Sequence, residues 1–234
     1  MKYKLGRKDR ITKLYPIIAL RDIPVAHVKV GDRGGQVKSK HNLSQEGDCW
    51  ISGDARVYGS AKVYESARIS GNAKVYGNSH VFRSANVFES AQIFGSARIS
   101  ESAQISGIAR ISGSAQIFGS ARISGSAQVY GSARVRESAW ISGDSRISEP
   151  WHYLSIHNLK YPLTITPQNV VGGYSGCRTF THEEFEGLTL EDCKSKDWTQ
   201  KQLDVYKSFL GTWRAIQESM TQELINQPKQ NKTK

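Results

Sequence analysis

Ser60-Ala61-Lys62-Val63-Tyr64-Glu65-Ser66-Ala67-Arg68-Ile69-Ser70-Gly71 holds two copies of one six-residue unit, small–Ala–polar–(Val/Ile)–variable–(Gly/Glu), and that unit sets the fold. Val or Ile recurs at every sixth residue from Ile51 to Ile147 without a slip. Ala stands two residues before each of these from Val57 onward, replaced only at Ser79 and Ser145. Strand side chains alternate faces, so Ala61 and Val63 point one way while Lys62 and Tyr64 point the other. The Gly/Glu and Ser/Asn/Asp positions between hexads supply a bend. A period of six fits neither the helical repeat nor a heptad, and Gly recurs throughout, which excludes a helix. It is the signature of a parallel β-helix, in which each short strand stacks on its equivalent in the next coil.

The variable positions say how many hexads close one coil. Read every third hexad, the bend residues sort into Gly59, Gly77, Gly95, Gly113, Gly131; then Glu65, Arg83, Glu101, Gly119, Glu137; then Gly53, Gly71, Glu89, Gly107, Gly125, Gly143. The outward residues sort the same way. One side shows Tyr58, Tyr76, Phe94, Ser112, Tyr130, the next Tyr64, Phe82, Ser100, Phe118, Arg136, and the third is mostly Ser with Phe88. A super-period of three hexads means three sides per coil, hence an all-β, triangular prism of about five to six coils. Three sheets meeting in a narrow triangle leave room for one aliphatic per side and only a small residue near each corner, which accounts for the Ala column.

Around this repeat the chain divides into a cap over 1–50, the β-helix over 51–148, a second β cap over 149–180, a helical extension over 181–227 and a disordered tail over 228–234. Residues 1–13 read as a loosely held, basic start. From Leu14 to Leu43 irregular strands (Ile17 to Leu20, Val25 to Val30) alternate with a turn at Gly31–Gly35, covering the first coil. A bare end would leave unpaired backbone groups and an open core. Beyond Pro150 the hexads stop, and Leu154 to Ile156 and Leu163 to Ile165 read as strands closing the other end. Thr181 and Glu184 form a capping-box pattern. A longer helix from Asp197 or Thr199 to about Asn226 carries the apolar stripe Leu203, Tyr206, Leu210, Trp213, Met220 and Leu224, expected to dock on the prism or pair subunits.

The hexads resemble those of the left-handed β-helix, or hexapeptide-repeat, superfamily. The resemblance implies the left hand, where the general rule for parallel crossovers would give the right. The flanks sharpen it: Ala19-Leu20-Arg21-Asp22, Gly31-Asp32-Arg33-Gly34-Gly35 and Asn42-Leu43-Ser44-Gln45-Glu46-Gly47 resemble the lead-in segment of repeat proteins common in prophages and enteric bacteria. Those proteins are labelled polymer-forming or acetyltransferase. Thr164-Ile165-Thr166 and Gly176-Cys177-Arg178-Thr179-Phe180-Thr181 resemble their exit segment.

The net charge of +11 sits unevenly: residues 1–50 hold eleven Lys/Arg against five Asp/Glu, residues 51–148 eleven against six, and the remainder ten of each. The excess biases partners toward anions, and serves solubility equally well. Cys49, Cys177 and Cys193, odd in number and widely spaced, suit free thiols in a reducing cytosol. The apolar run Leu14 to Leu20 is short, contains Pro16 and runs into Arg21, unlike a secretory leader. No stretch approaches a membrane span. A soluble, cytoplasmic protein is expected, in the host cytoplasm if phage-encoded.

Enzymes of the resembled superfamily are commonly trimeric acyltransferases that bind coenzyme A between subunits and use a His base near a loop protruding from one coil. No insertion interrupts Ile51 to Ile147, and His80 fills a slot held elsewhere by Lys, Arg or Gln, so His80 is a weak catalytic candidate. His152, His157 and His182 lie in the C-terminal cap and His41 in the N-terminal one. Cys177, His182 and Cys193 lack paired metal-ligand spacing, and Gly172-Gly173 is too short for a phosphate loop. The informative feature is a pair of mixed faces. Arg56, Lys74, Arg110 and Arg146 share a side with Tyr58, Tyr76, Phe94 and Tyr130. The adjoining side carries Lys62, His80, Arg98 and Arg134 with Tyr64, Phe82 and Phe118. Interleaved cations and rings grip phosphates and stack bases; they equally stabilise the sheets and suit a homotrimer interface. The expectation is a non-catalytic binding or assembly protein of phage type without cofactor. Its partner would be a nucleotide-like anion, such as a defence signal, or a protein. A coenzyme-A-dependent acyltransferase is the alternative. Extended nucleic acid is not expected, a DNA mimic is excluded by the positive charge, and the outward ladders lack the Thr of an ice-binding face.

Overall fold

A computed structural model of the chain describes residues 1–156, 163–172, 179–189, 191–192 and 199–226. The tail over 228–234, His157, Cys177, Cys193, Asp197 and the Leu224 side chain lie outside the described residues. Between Trp50 and Ile147 the chain forms two-residue strands at regular hexad spacing, β4 (Trp50–Ile51) through β20 (Arg146–Ile147). Every third strand stacks in parallel, Val87 on Ile69 and Ile105, Ile93 on Val75 and Ile111, Ile99 on Val81 and Ile117. The result is a β-solenoid of three parallel sheets, with six hexad rungs on two sides and five on the third. At roughly 4.8 Å per rung its axis is about 24 Å long.

The lumen is filled as the pattern requires. Every Val and Ile of the column and every Ala before them is buried, almost all at 0% exposure. Each aliphatic contributes about 1.5–3 kcal/mol before conformational entropy is set against it. The two Ser residues in the Ala column are satisfied by donating to the carbonyl three residues back: Ser79 to Tyr76 at 2.8 Å and Ser145 to Ser142 at 2.7 Å. Corners turn at a residue of positive φ. Most are Gly, but Glu65, Arg83, Glu89, Glu101 and Glu137 also sit at φ 56–61°, at about 1–2 kcal/mol each. Several offset that by cross-coil contacts. Glu101 accepts from the Gly119 amide at 2.7 Å and pairs with Arg83 at 2.8 Å, and Glu89 accepts from the Gly107 amide.

The bonds between coils are unequal in direction. At the strand ends amides donate to carbonyls of the following coil, as Arg98 to Ala115 and Ser100 to Ile117, both at 2.9 Å. Within the strands the parallel register of Ile99 opposite Ile117 returns one bond per rung, from the aliphatic's amide to the coil before it. The first coil is therefore left with mostly carbonyls to be met and the last with mostly amides. The N-terminal cap supplies donors. Strand β3 (Arg33–Val37) lies parallel on Arg56–Val57, and the Gln36, Lys38, Ser44 and Trp50 amides donate to Ala55, Val57, Val63 and Ala67. The Asn42 side chain donates to Gly59 and Ala61 at 3.1 and 2.8 Å while accepting from the Lys38 and Ser39 amides. The C-terminal cap supplies acceptors. Thr164 Oγ1 receives the Trp140 amide, Gln168 Oε1 the Arg146 amide and the Tyr153 hydroxyl the Arg136 amide.

Several expectations for the flanks are corrected. Residues 1–13 are not loosely held throughout: β1 (Tyr3–Leu5) pairs antiparallel with β2 (Tyr15–Ala19), and Tyr3 is fully buried with its hydroxyl donating to Leu43. Lys2 is buried too, its amine donating to Glu46 and to the Cys49 thiol at 3.0 Å. Burial pushes the Lys2 pKa down and the Cys49 pKa up. Gly31 does turn the chain, but Gly34 and Gly35 lie within β3, because a Cβ there would collide with the Ile51 and Ala55 carbonyl oxygens. Val25 is in a 3-10 turn (Pro24–Ala26) closed by His27 at positive φ, not an extended run.

The last correction concerns the long helix. Strands β21 (Leu154–Ile156), β22 (Leu163–Ile165), β23 (Val170–Gly172) and β24 (Thr179–Phe180) form an antiparallel sheet. Helix α1 (His182–Gly187) follows with its Thr181/Glu184 capping box formed, and α2 spans Gln200–Asn226. Leu203, Tyr206, Leu210 and Trp213 of α2 bury against Leu163, Ile165, Val170, Phe180 and Phe185. The helix docks on the cap sheet and α1 rather than on the prism itself. No described helix is long and apolar enough to cross a membrane.

Two stability predictions follow from the lumen and the first edge. Ala97→Leu overpacks a corner with no space and should cost about 3 kcal/mol, lowering Tm by roughly 6–12 °C; an unchanged melting curve would contradict the lumen assignment. Asn42→Ala removes four hydrogen bonds at a buried edge. It should cost about 2–3 kcal/mol, measured by urea unfolding.

Candidate functional site

The expected site residues fall on two adjoining sides, in register. On the tyrosine side Arg56, Lys74, Gln92 and Arg110 occupy successive rungs, with Gln128 and Arg146 beyond them. Beside them the Tyr58 and Tyr76 rings stack at 5.0 Å and 2°, and Tyr76 and Phe94 at 5.1 Å and 5°. On the histidine side Lys62, His80 and Arg98 are consecutive rungs, and Tyr64 stacks on Phe82 at 5.0 Å and 5°. Rung spacing forces this: outward rings one coil apart stand at nearly the distance of stacked aromatics.

Sequence reading missed how these rings spend their faces. Each stack is covered at its C-terminal end by a guanidinium, Arg110 over Phe94 and Arg98 over Phe82, both 5.7 Å from the centroid. Beyond the N-terminal faces of Tyr58 and Tyr64, the faces that would stack a base are turned on other rings and on arginines. What the two sides present outward is ring edges flanked by cations, most of them exposed. Burial pushes the Tyr58 and Tyr64 pKa values up, so both phenols remain neutral donors.

His80 is half-buried, edge-on to Tyr64 at 6.1 Å. Burial, and then the charges of Lys62 and Arg98 on either side, hold its pKa below the ordinary histidine value. A neutral imidazole is a competent base, but no carboxylate among the described residues bonds to it. His152 accepts at Nδ1 from the Ser148 amide at 3.3 Å, and burial lowers its pKa. The His182 ring bonds the Thr166 carbonyl oxygen at 2.8 Å and packs edge-on to Trp213, so it serves the cap. His41 is exposed in the N-terminal cap. Among the described residues no three His, Cys, Asp or Glu converge on a metal position.

Two clefts were not legible in the hexads. On the serine side the Pro24–Ala26 turn overhangs a groove of about 350 Å³ lined by Trp50, Ser52, Arg68, Ser70, Asn86 and Phe88. At the other end of the histidine side a cleft of about 610 Å³ opens between Phe118, Arg134 and Arg136 of the solenoid and the Pro150–Ser155 segment leaving it.

A pH prediction comes from His80. Its pKa is lower folded than unfolded, so the unfolded chain takes the proton first and stability falls as pH drops below about 6.5. His80→Gln, the residue found at in-register position 116, should lose less Tm between pH 8 and pH 5.5 than wild type. Equal losses would contradict the placement of His80 between two cations.

A family described as YdcK Beta solenoid repeat matches residues 51–65, 67–83 and 115–131, all within the stacked hexads. No curated protein matches the chain. Three parallel sheets in which every third hexad stacks, together with that likeness, make this chain a β-solenoid repeat protein.

Proposed function

We propose that this solenoid is a non-catalytic binding and assembly protein, a left-handed hexapeptide-repeat rod of prophage type that stands as a homotrimer of parallel prisms. The left hand and the lineage rest on the resemblance of the hexads and flanks. The observation that carries the functional reading is the pair of arginine-capped ring stacks on adjoining sides. In a threefold arrangement the tyrosine side of one prism faces the histidine side of the next. Ring edges supply contact area of low conformational entropy, and the exposed cations Lys62, Lys74, Arg98 and Arg110 cannot pair with one another across the seam. An anion between subunits relieves that repulsion, and a nucleotide-like phosphate ligand is the chemistry such a cleft takes. The ligand is held rather than turned over: the repeat runs from Ile51 to Ile147 with no protruding loop to bring a base to it.

Light scattering should give three times the 26.0 kDa chain mass, and calorimetry should show saturable, salt-sensitive binding of cyclic or linear nucleotides without product formation. A monomer would remove the cleft between subunits. Acyl transfer from an acyl-coenzyme A would replace this reading with the acyltransferase one.

A further inference from the structure

A second cleft lies away from the ring stacks, at the C-terminal end of the histidine side. Arg134 and Arg136 flank Val135, which points into the lumen, so both guanidiniums project outward from one rung. Residues two apart on a strand lie about 6.5–7 Å apart along it, close enough for both to reach one phosphate. Several other arginines of the molecule are committed. Arg83 pairs with Glu101, Arg21 with Asp48 and Arg214 with Glu186, while Arg98, Arg110 and Arg122 lie over rings. Among the described residues Arg134 and Arg136 have neither an ion pair nor a ring beneath them, and the Arg136 side chain reaches only the Tyr153 hydroxyl on the cleft's own wall.

The wall of the cleft completes the donor set. One rung before Arg136 stands Phe118, whose column neighbours are Ser100 and Arg136, so among the described residues no ring stacks on it. Opposite is the segment that leaves the solenoid at Pro150, including Tyr153 and Leu154. The Tyr153 oxygen accepts from the Arg136 amide at 3.2 Å, which leaves its own O–H to donate into the cleft. Burial is the main cause raising the Tyr153 pKa, so the phenol keeps that proton. Glu137, exposed on the bend, is the one carboxylate among the described residues of the lining and leaves the two guanidiniums in excess. Two cations, one phenol donor and one open phenyl face in about 610 Å³ select an acceptor-rich anion attached to a flat ring.

We infer that the cleft formed by Phe118, Arg134, Arg136 and Tyr153 binds a small phosphomonoester bearing a planar ring, the phosphate between the two guanidiniums and the ring against Phe118. The site is complete within one chain. It lies on the histidine side, as the proposed seam does, but at the end beyond Arg98, and it draws no residue from a neighbour.

Calorimetry with a nucleoside 5′-monophosphate, the same nucleoside without phosphate, and inorganic phosphate tests this on the full chain. The monophosphate should bind once per chain at this site and at least tenfold more tightly than either fragment. Arg134→Gln with Arg136→Gln should weaken it tenfold or more, Gln already standing in register with Arg134 at position 116. Phe118→Ser should bring the monophosphate toward the affinity of inorganic phosphate, while Arg56→Gln with Lys74→Gln should leave this binding unchanged. Unaltered Tm values would show that the exposed substitutions leave the fold intact. Full affinity in the Arg134/Arg136 variant overturns the inference, as does no binding by the unaltered chain at millimolar ligand. Loss only in the Arg56/Lys74 variant also overturns it, while leaving the intersubunit reading standing.

Discussion

Everything in this molecule answers to a hydrogen-bond ladder with a bias of direction. Because most amides outside the strands reach forward to a carbonyl of the following coil, against one bond returned per rung, the two ends of the stack are unlike. One presents mostly carbonyls and needs donors, the other presents mostly amides and needs acceptors, and buried backbone groups of either kind are costly when left unpaired. The caps are built to that asymmetry. Asn42 and the amides of β3 and its neighbours meet the first coil; Thr164, Gln168 and the Tyr153 hydroxyl meet the last. The buried start of the chain, with Tyr3 and Lys2 packed beneath the loop to Cys49, belongs to the same closure.

The lumen imposes the second constraint and explains why function must be sought outside it. Three sheets around a narrow triangle admit Val or Ile and Ala on every side alike, so the inward columns carry no information that distinguishes one side from another. The outward residues are free of that constraint, and they differ. Two sides stack rings and cap them with arginine. The third places Ser, Asn and Gln there, with Arg68 and Arg122 between Trp50 and Trp140 at its ends.

How much of this is legible in the sequence follows from the same division. The hexad, the three-sided coil and the grouping of Arg56, Tyr58, Lys74 and Tyr76 on one side against Lys62, Tyr64, His80 and Phe82 on the next can be read directly, since a strict period fixes neighbours by arithmetic. The N-terminal cap has no period, and nothing in Met1 to Leu5 announces a buried lysine. Gly34 and Gly35 look like a turn because glycine marks turns and close backbone approaches equally. The use of ring faces was within reach: aromatics one coil apart, on a ladder of roughly 4.8 Å spacing, leave no gap between them. Tyr153 lies past the last hexad, yet its separation from Arg136 equals that between donor and acceptor along the ladder itself, as from Arg98 to Ala115, and that spacing was its signal.

The central claim is that the ring stacks are surfaces of association and not merely braces of the sheets. Ser112 and Ser100 already occupy the same two columns, so Tyr76→Ser with Phe82→Ser leaves side chains that the solenoid accommodates. Light scattering on that double variant, beside Phe88→Ser on the serine side, measures the claim most directly. The account predicts that the first falls to the mass of a single chain while the second keeps the mass of the unaltered protein. An unchanged mass in the Tyr76/Phe82 variant would contradict it.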